Sequence, residues 1–69
     1  MRLSARNQLS GTVASIEVGA VMTIVKVDLA GGQQITSSIT KDAAEDLGLV
    51  VGSPVTAVVK STEVMLGVE

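Results

Sequence analysis

Residues 21–29 alternate with a period of two, and this is the strongest structural pattern in the sequence. One set of positions holds Val21, Thr23, Val25, Val27 and Leu29, and the other holds Met22, Ile24, Lys26 and Asp28. A period of two places each set on one face of a β-strand, and β-branched residues favour strands. We therefore predict a strand over these residues, and it is the clearest strand in the chain.

Shorter alternations on either side predict four more strands. The first begins at Leu9 and changes phase at Val13 and Ala14, which indicates a β-bulge. Turns are predicted at residues 19–20 and at 30–32, and the second turn leads to a strand over 34–40 whose polar face is rich in hydroxyl groups. A fourth strand is predicted over 55–60 and a fifth over 63–67.

One short helix is predicted between the third and fourth strands. Thr40 is a typical N-cap residue, the segment Lys41 to Leu47 is rich in helix formers, and Gly48 favours termination. This order of elements predicts an all-β fold, a five-stranded OB-like Greek-key barrel, in a single domain over residues 1–69. Other small barrels would have nearly the same order of elements.

The composition limits how such a domain can be stabilised. The 69 residues include no Phe, Tyr, Trp, Cys or His, so the core must be aliphatic. A domain of this size buries only about 60% of the surface that its unfolded chain exposes. Disulfides, metals or partner subunits usually compensate, and the first two routes need Cys or His. We therefore expect a homo-oligomer.

The composition also argues against several functions. Without His or Cys, no nucleophile has a plausible base, so we expect no enzyme activity and no organic cofactor. Asp42, Glu45 and Asp46 are predicted to form a solvated helix face, and no side chain is expected to ligate a metal ion directly. A net charge of −2 and the lack of aromatic residues argue against nucleic-acid binding. No signal peptide or membrane span is recognisable, so we expect no membrane association and a cytoplasmic location.

Hydrogen-bond donors are concentrated at three places in the sequence. Residues 4–8 include Arg6, whose guanidinium carries five donors in a rigid fork, and Lys60 is followed by two hydroxyl residues. Thr40 precedes the predicted helix, whose first N–H groups attract anions. Five side chains at these places together offer donors and include no carboxylate: Ser4, Arg6, Thr40, Lys60 and Ser61. They predict a site for a fully deprotonated oxyanion such as molybdate, tungstate or sulfate, whereas phosphate in part keeps a proton near neutral pH.

Several segments together resemble the molbindins, small members of the molybdate-binding domain family. They are Ser4-Ala5-Arg6-Asn7-Gln8, Leu9-Ser10-Gly11-Thr12-Val13, Gly19-Ala20-Val21, Ile39-Thr40, Glu45-Asp46-Leu47-Gly48-Leu49 and Val58-Val59-Lys60-Ser61-Thr62-Glu63-Val64. The resemblance covers essentially the whole chain, and the early SARN element joined to a late Lys-Ser pair is its most specific part. It implies an OB-like fold, a homohexamer built as a trimer of dimers, and reversible binding of molybdate or tungstate at subunit interfaces.

The resemblance also assigns oxyanion contacts to Ser4, Arg6, Thr40, Lys60 and Ser61. Members of the family often have a serine three residues after the helix-start threonine, whereas this chain has Ala43, whose backbone N–H remains as a donor. Asn7 is expected to brace the SARN turn. The family's second class of site, near its symmetry axes, has no residues that the sequence identifies.

Two roles are compatible with such binding. The first is intracellular storage, buffering or homeostasis of molybdenum, without chemistry on the ion. The alternative is an oligomeric oxyanion-sensing regulatory module that acts through a protein partner. The sequence distinguishes neither these roles nor molybdate from tungstate.

Overall fold

The computed structural model describes all 69 residues. Its regular elements are β1 (Asn7–Val18), β2 (Met22–Leu29), β3 (Gln34–Thr40), α1 (Lys41–Asp46), β4 (Pro54–Val59) and a 3-10 helix (Ser61–Glu63). The first four predicted strands and the helix are confirmed to within two residues at each end. The helix ends one residue earlier than predicted, because Leu47 is its C-cap.

The four strands form one antiparallel sheet in the order β3-β2-β1-β4. The first three strands form a meander and β4 returns beside β1, which is the Greek-key arrangement. The register between β1 and β2 shifts between Val13 and Ser15, so the predicted bulge is confirmed. The first half of β1 pairs with β4 and most of the remainder with β2. A bulge bends a strand and increases its twist, and here the sheet is curled and OB-like.

The buried core is very small for a chain of this length. Only Val13, Val25, Val27 and Thr23 are buried, and three of them lie on the face predicted from the alternation in β2. Six partly buried side chains pack against the three buried valines: Ile16, Leu29, Ile35, Ile39, Leu49 and Val55. Thr23 is also fully buried, and its hydroxyl has no hydrogen-bond partner. A single chain therefore leaves many of its large apolar side chains exposed.

The prediction of a fifth strand over residues 63–67 is wrong for the single chain. The 3-10 helix ends at Glu63, and residues 64–69, which we call the 64–69 segment, have no regular secondary structure and pair with no strand. Alternation specifies which side chains share a face, but a strand forms only where a neighbouring strand offers backbone partners. In the single chain this segment pairs with neither edge strand of the sheet.

The sheet does not close into a barrel. The edge strands β3 and β4 border an open cavity of about 310 Å³, which we call the β3–β4 groove. Its lining is mostly aliphatic and includes Ile35, Ser37, Ile39, Leu47, Leu49, Val55, Ala57 and Val59. The missing fifth strand leaves this side of the sheet open. The one α-helix has six residues, and no helix is long and apolar enough to cross a membrane.

Candidate oxyanion-binding site

The predicted SARN element forms a turn immediately before β1. Ser4 lies in a bend, and the Gln8 side chain donates from Nε2 to the carbonyl oxygen of Ala5 at 3.1 Å. We expected Asn7 to brace this turn, but Asn7 is the first residue of β1 and Gln8 supplies the hydrogen bond. Asn7 and Gln8 are adjacent in the sequence, which does not indicate which of their side-chain amides donates the hydrogen bond to the turn.

The strand register brings the two ends of the chain together. Asn7 is the ladder partner of Val59 in the β1–β4 pair. This is the last pair of the ladder, and Arg6 and Lys60 are the residues immediately beyond it on the two chain segments. The two donor clusters that the sequence separates therefore lie near each other at the start of β1.

The donors of these two clusters have no partners within the chain. Ser61 is the first residue of the 3-10 helix and Lys60 is its N-cap. Ser4, Arg6, Lys60 and Ser61 are all exposed. The side-chain hydrogen bonds of the structure involve Gln8, Gln34 with Asp28, Thr40 and Ser53, but none of these four residues. Their side-chain donors are therefore available to a ligand.

Within one chain the structure does not bring Thr40 to the cluster around Arg6 and Lys60. Thr40 pairs with Met22 near the end of β1, whereas Lys60 follows Val59, which pairs with Asn7 at the start of β1. Ile39, which precedes Thr40 at the end of β3, and Val59, which precedes Lys60 at the end of β4, both line the β3–β4 groove. Thr40 Oγ1 accepts a hydrogen bond of 3.0 Å from the Ala43 backbone N–H. A hydroxyl that accepts one bond keeps its own hydrogen, so Thr40 can still donate to an oxyanion.

The helix start offers fewer free amides than the sequence led us to expect. The Lys41 N–H donates to the carbonyl oxygen of Val21 at 2.7 Å, and the Ala43 N–H donates to the Thr40 hydroxyl, which caps the helix. In this structure Ala43 therefore acts through Thr40, whose hydroxyl it orients. A direct contact between the Ala43 N–H and a ligand remains a prediction that would require this cap to open.

Exposed apolar side chains lie close to the donors along the chain. Leu3 precedes Ser4, Val58 lies two residues before Lys60, and Val64 follows the 3-10 helix; all three are exposed to between 42% and 48%. Within one chain nothing covers the five predicted donors, which are exposed as well. The site is therefore a cationic, donor-rich surface with an apolar border. No group of three or more acidic, His or Cys side chains is placed to hold a metal ion.

Comparison with known proteins identifies the relatives of this chain. The TOBE domain family matches residues 3–66. The chain is 48% identical to a probable molybdenum-pterin-binding protein of Haemophilus influenzae, and the match covers 100% of both chains. It is similar to the solved structure of a molybdate-binding protein from Sporomusa ovata, with a TM-score of 0.90, 42% identity and coverage of 96% and 97% of the two chains.

A third relative has its ligand in place. The structure of the cytoplasmic molybdate-binding protein ModG with molybdate bound matches with a TM-score of 0.96 and 52% identity. The match covers 100% of this chain and 49% of ModG. The similarity thus extends over all of the elements that carry the five predicted donors.

Proposed function

This chain belongs to the TOBE domain family, together with the small molybdenum-pterin-binding proteins that resemble it over their whole length, and we propose that it binds molybdate reversibly. The resemblance to the molbindins found in the sequence is thereby confirmed. A structural relative at 52% identity holds molybdate, and the other is described as a molybdate-binding protein. These relatives are binding proteins, and we propose binding without catalysis here as well.

The observation that carries this proposal is the cluster of unpartnered donors at Arg6 and Lys60. Two cations that lie side by side without a ligand repel each other, and a dianion between them removes that repulsion. Arg6 can bind two oxygens with its planar fork, while Lys60 supplies a point charge. Ser4 and Ser61 add hydroxyl donors beside these cations, and Thr40, which lies at the other end of the sheet, would add its hydroxyl from a second copy of the chain.

We place the complete site at an interface between copies of the chain. In one chain the five donors are exposed to water, where hydrogen bonds to an anion gain little over those to solvent. A second copy that covers the apolar border would exclude water and strengthen each charge-assisted bond. The homohexamer implied by the molbindin resemblance supplies such interfaces, and tungstate, which has the same charge and nearly the same size, is the second proposed ligand.

We propose storage or buffering of molybdenum in the cytoplasm as the biological role. The Haemophilus relative is matched over its entire length, so the family includes proteins that consist of this unit alone. A unit that only binds an ion is suited to holding and releasing it. The cytoplasmic location is proposed by analogy with ModG, which is described as cytoplasmic.

Calorimetric titration of the purified protein with molybdate, tungstate, sulfate and phosphate tests the proposal. We expect molybdate and tungstate to bind and phosphate to bind least. Sulfate should bind much more weakly than molybdate, because it is smaller and leaves donors out of hydrogen-bond range. Arg6→Ala and Lys60→Ala should each weaken molybdate binding by at least about tenfold, because each removes a charged donor.

Lys26→Ala is the matched control for these variants. Lys26 is an exposed cation on β2 and lies outside the proposed site, so its removal changes the net charge equally. It should leave the molybdate affinity within about twofold, since an exposed distant charge is screened by salt. Equal affinity for sulfate and molybdate, or equal losses in all three variants, would show a generic anion surface instead of a shaped site.

A further inference from the structure

One hydrogen bond connects residues 1–6 to the rest of the chain. It runs from Gln8 Nε2 to the carbonyl oxygen of Ala5, at 3.1 Å. No backbone hydrogen bond and no other side-chain hydrogen bond involves residues 1–6, and the β1–β4 ladder begins only at Asn7. Ala5 is also the only one of these six residues that is partly buried. The N-terminal residues are therefore held at Ala5, between Ser4 and Arg6.

Gln8 makes this bond from a position that the sheet keeps in place. It is the second residue of β1, and its ladder partner is Val58 in β4. Its backbone is therefore ordered, and its side chain reaches back three residues to the turn. The bond is exposed to water, where it adds little to the stability of the whole fold. Its effect is on the orientation of the residues next to Ala5.

Arg6 lies between two peptide units, and Gln8 fixes the first of them. A peptide unit is planar, so a hydrogen bond to the Ala5 carbonyl oxygen orients the whole unit that ends at the Cα atom of Arg6. The second unit leads into Asn7, which the β1–β4 ladder holds. The two units together determine the direction of the Arg6 Cα–Cβ bond. Without the Gln8 amide the first unit would rotate while β1 stayed intact.

We propose that Gln8 is a positioning residue of the oxyanion site, whose amide holds the Ala5–Arg6 peptide so that the Arg6 guanidinium is preorganised for a dianion of the size of molybdate. Gln8 itself does not touch the ligand. Ordering the backbone of one residue on binding costs the equivalent of about five- to thirtyfold in affinity, and a residue that is ordered in advance avoids this loss. The inference rests on the proposed molybdate binding and adds a residue that sets its affinity and selectivity.

Calorimetric titration of Gln8→Met with molybdate tests the inference. Methionine is as long as glutamine and uncharged but has no donor. We expect the molybdate affinity to fall about three- to tenfold, because Arg6 must then be ordered on binding. Both Gln8 and the control position, Gln34, are exposed, so the melting temperature of the ligand-free protein should change little in either variant.

Gln34→Met is the matched control for the loss of a glutamine donor. The Gln34 amide donates to Asp28 at 3.0 Å, and Asp28 pairs with Thr12 in the middle of β1, away from the Asn7 end. This variant should change the molybdate affinity by less than about twofold. Equal losses in the two variants, or no loss in Gln8→Met, would overturn the proposal.

Sulfate distinguishes lost positioning from general damage to the site. A guanidinium that is free to move can follow a smaller anion, so Gln8→Met should weaken sulfate binding by less than about twofold in competition with molybdate. The ratio of the molybdate affinity to the sulfate affinity should therefore fall. A disturbed fold or assembly would weaken the binding of both ions equally, and equal losses would contradict positioning by Gln8.

A double-mutant cycle with Arg6 shows through which residue Gln8 acts. If Gln8 acts by orienting Arg6, then adding Gln8→Met to Arg6→Ala should weaken molybdate binding by less than about twofold beyond Arg6→Ala alone. A loss of about three- to tenfold that persists in the double variant would mean that Gln8 acts on the ligand or on another part of the site. That result would overturn the proposal.

Nitrogen-15 relaxation of the ligand-free protein separates this inference from the proposed function. The backbone order parameter of Arg6 should lie near the value of about 0.85 that is typical of rigid backbone, and in Gln8→Met it should fall below about 0.6, while that of Thr12 within β1 stays unchanged. Equal order of Arg6 in the two proteins would overturn positioning by Gln8 even if molybdate binds. Failure of the wild-type protein to bind molybdate would instead refute the proposed function, and the relaxation result does not depend on it.

Discussion

At the scale of single residues, the buried Thr23 hydroxyl is the clearest local cost in the fold. Thr23 is completely buried, and its Oγ1 has no hydrogen-bond partner. Burial of an unsatisfied hydroxyl costs about 1 to 3 kcal/mol. We predict that Thr23→Val raises the free energy of unfolding by about 1 kcal/mol in urea denaturation. The control Thr36→Val, at an exposed position on β3, should change the free energy of unfolding little. A loss of stability in Thr23→Val would contradict the prediction, because it would mean that the hydroxyl has a hydrogen-bond partner.

Ala43 is the residue at which the site departs from the family pattern. Its N–H donates to the Thr40 hydroxyl, which we assign to the ligand, so position 43 lies beside that hydroxyl. We predict that Ala43→Ser, which adds a donor there, tightens molybdate binding about three- to tenfold in calorimetric titration, as expected for one additional hydrogen bond. Ala44→Ser adds the same hydroxyl one position further along α1 and should have no such effect. Unchanged affinity in Ala43→Ser would place this position outside the binding site.

At the scale of elements, the contact between β1 and β2 depends on a missing side chain at Gly11. A Cβ atom at this position would lie 2.6 Å from Val27 Cγ1 and 2.7 Å from the Asp28 carbonyl oxygen. One of these neighbours is backbone in the adjacent strand, so the strands must separate to admit a methyl group. We predict that Gly11→Ala lowers the free energy of unfolding by about 1 to 3 kcal/mol, and that the adjacent exposed Ser10→Ala lowers it by less than about 0.5 kcal/mol, both by urea denaturation. Equal losses of unfolding free energy in the two variants would contradict this prediction, because β2 would then shift at no cost to admit the methyl group.

The elements also show which features the sequence could predict. Local rules were sufficient for the alternation in β2, the bulge at Val13 and the Thr40 cap, because each depends on neighbouring residues. The fifth strand was predicted wrongly for one chain, since its alternation carries no information about which edge it meets. Sequence reasoning identified the donors around Arg6 and Lys60 but not Gln8 as the brace of the turn, because side-chain geometry decides between adjacent amides. Their proximity became visible only through the strand register.

At the scale of the whole molecule, the fold of one chain is incomplete in three related ways. Four residues are buried, the β3–β4 groove is open, and the donor cluster is uncovered. Association of copies would remedy all three, since it covers apolar surface, fills the groove and desolvates the donors. Assembly and ligand binding should therefore be thermodynamically linked, because a ligand that binds only the assembled form stabilises it.

That linkage gives the most direct test of a molybdate site between copies: sedimentation velocity of dilute protein with and without molybdate. At a hundredfold excess over Kd, one site per interface stabilises the assembled form by about 2.7 kcal/mol. We predict that molybdate lowers the concentration at which the assembly dissociates by about a hundredfold, and that Lys60→Ala abolishes this shift. An unchanged dissociation concentration in wild-type protein saturated with molybdate would contradict the account, because the ion would then bind single chains and assemblies equally.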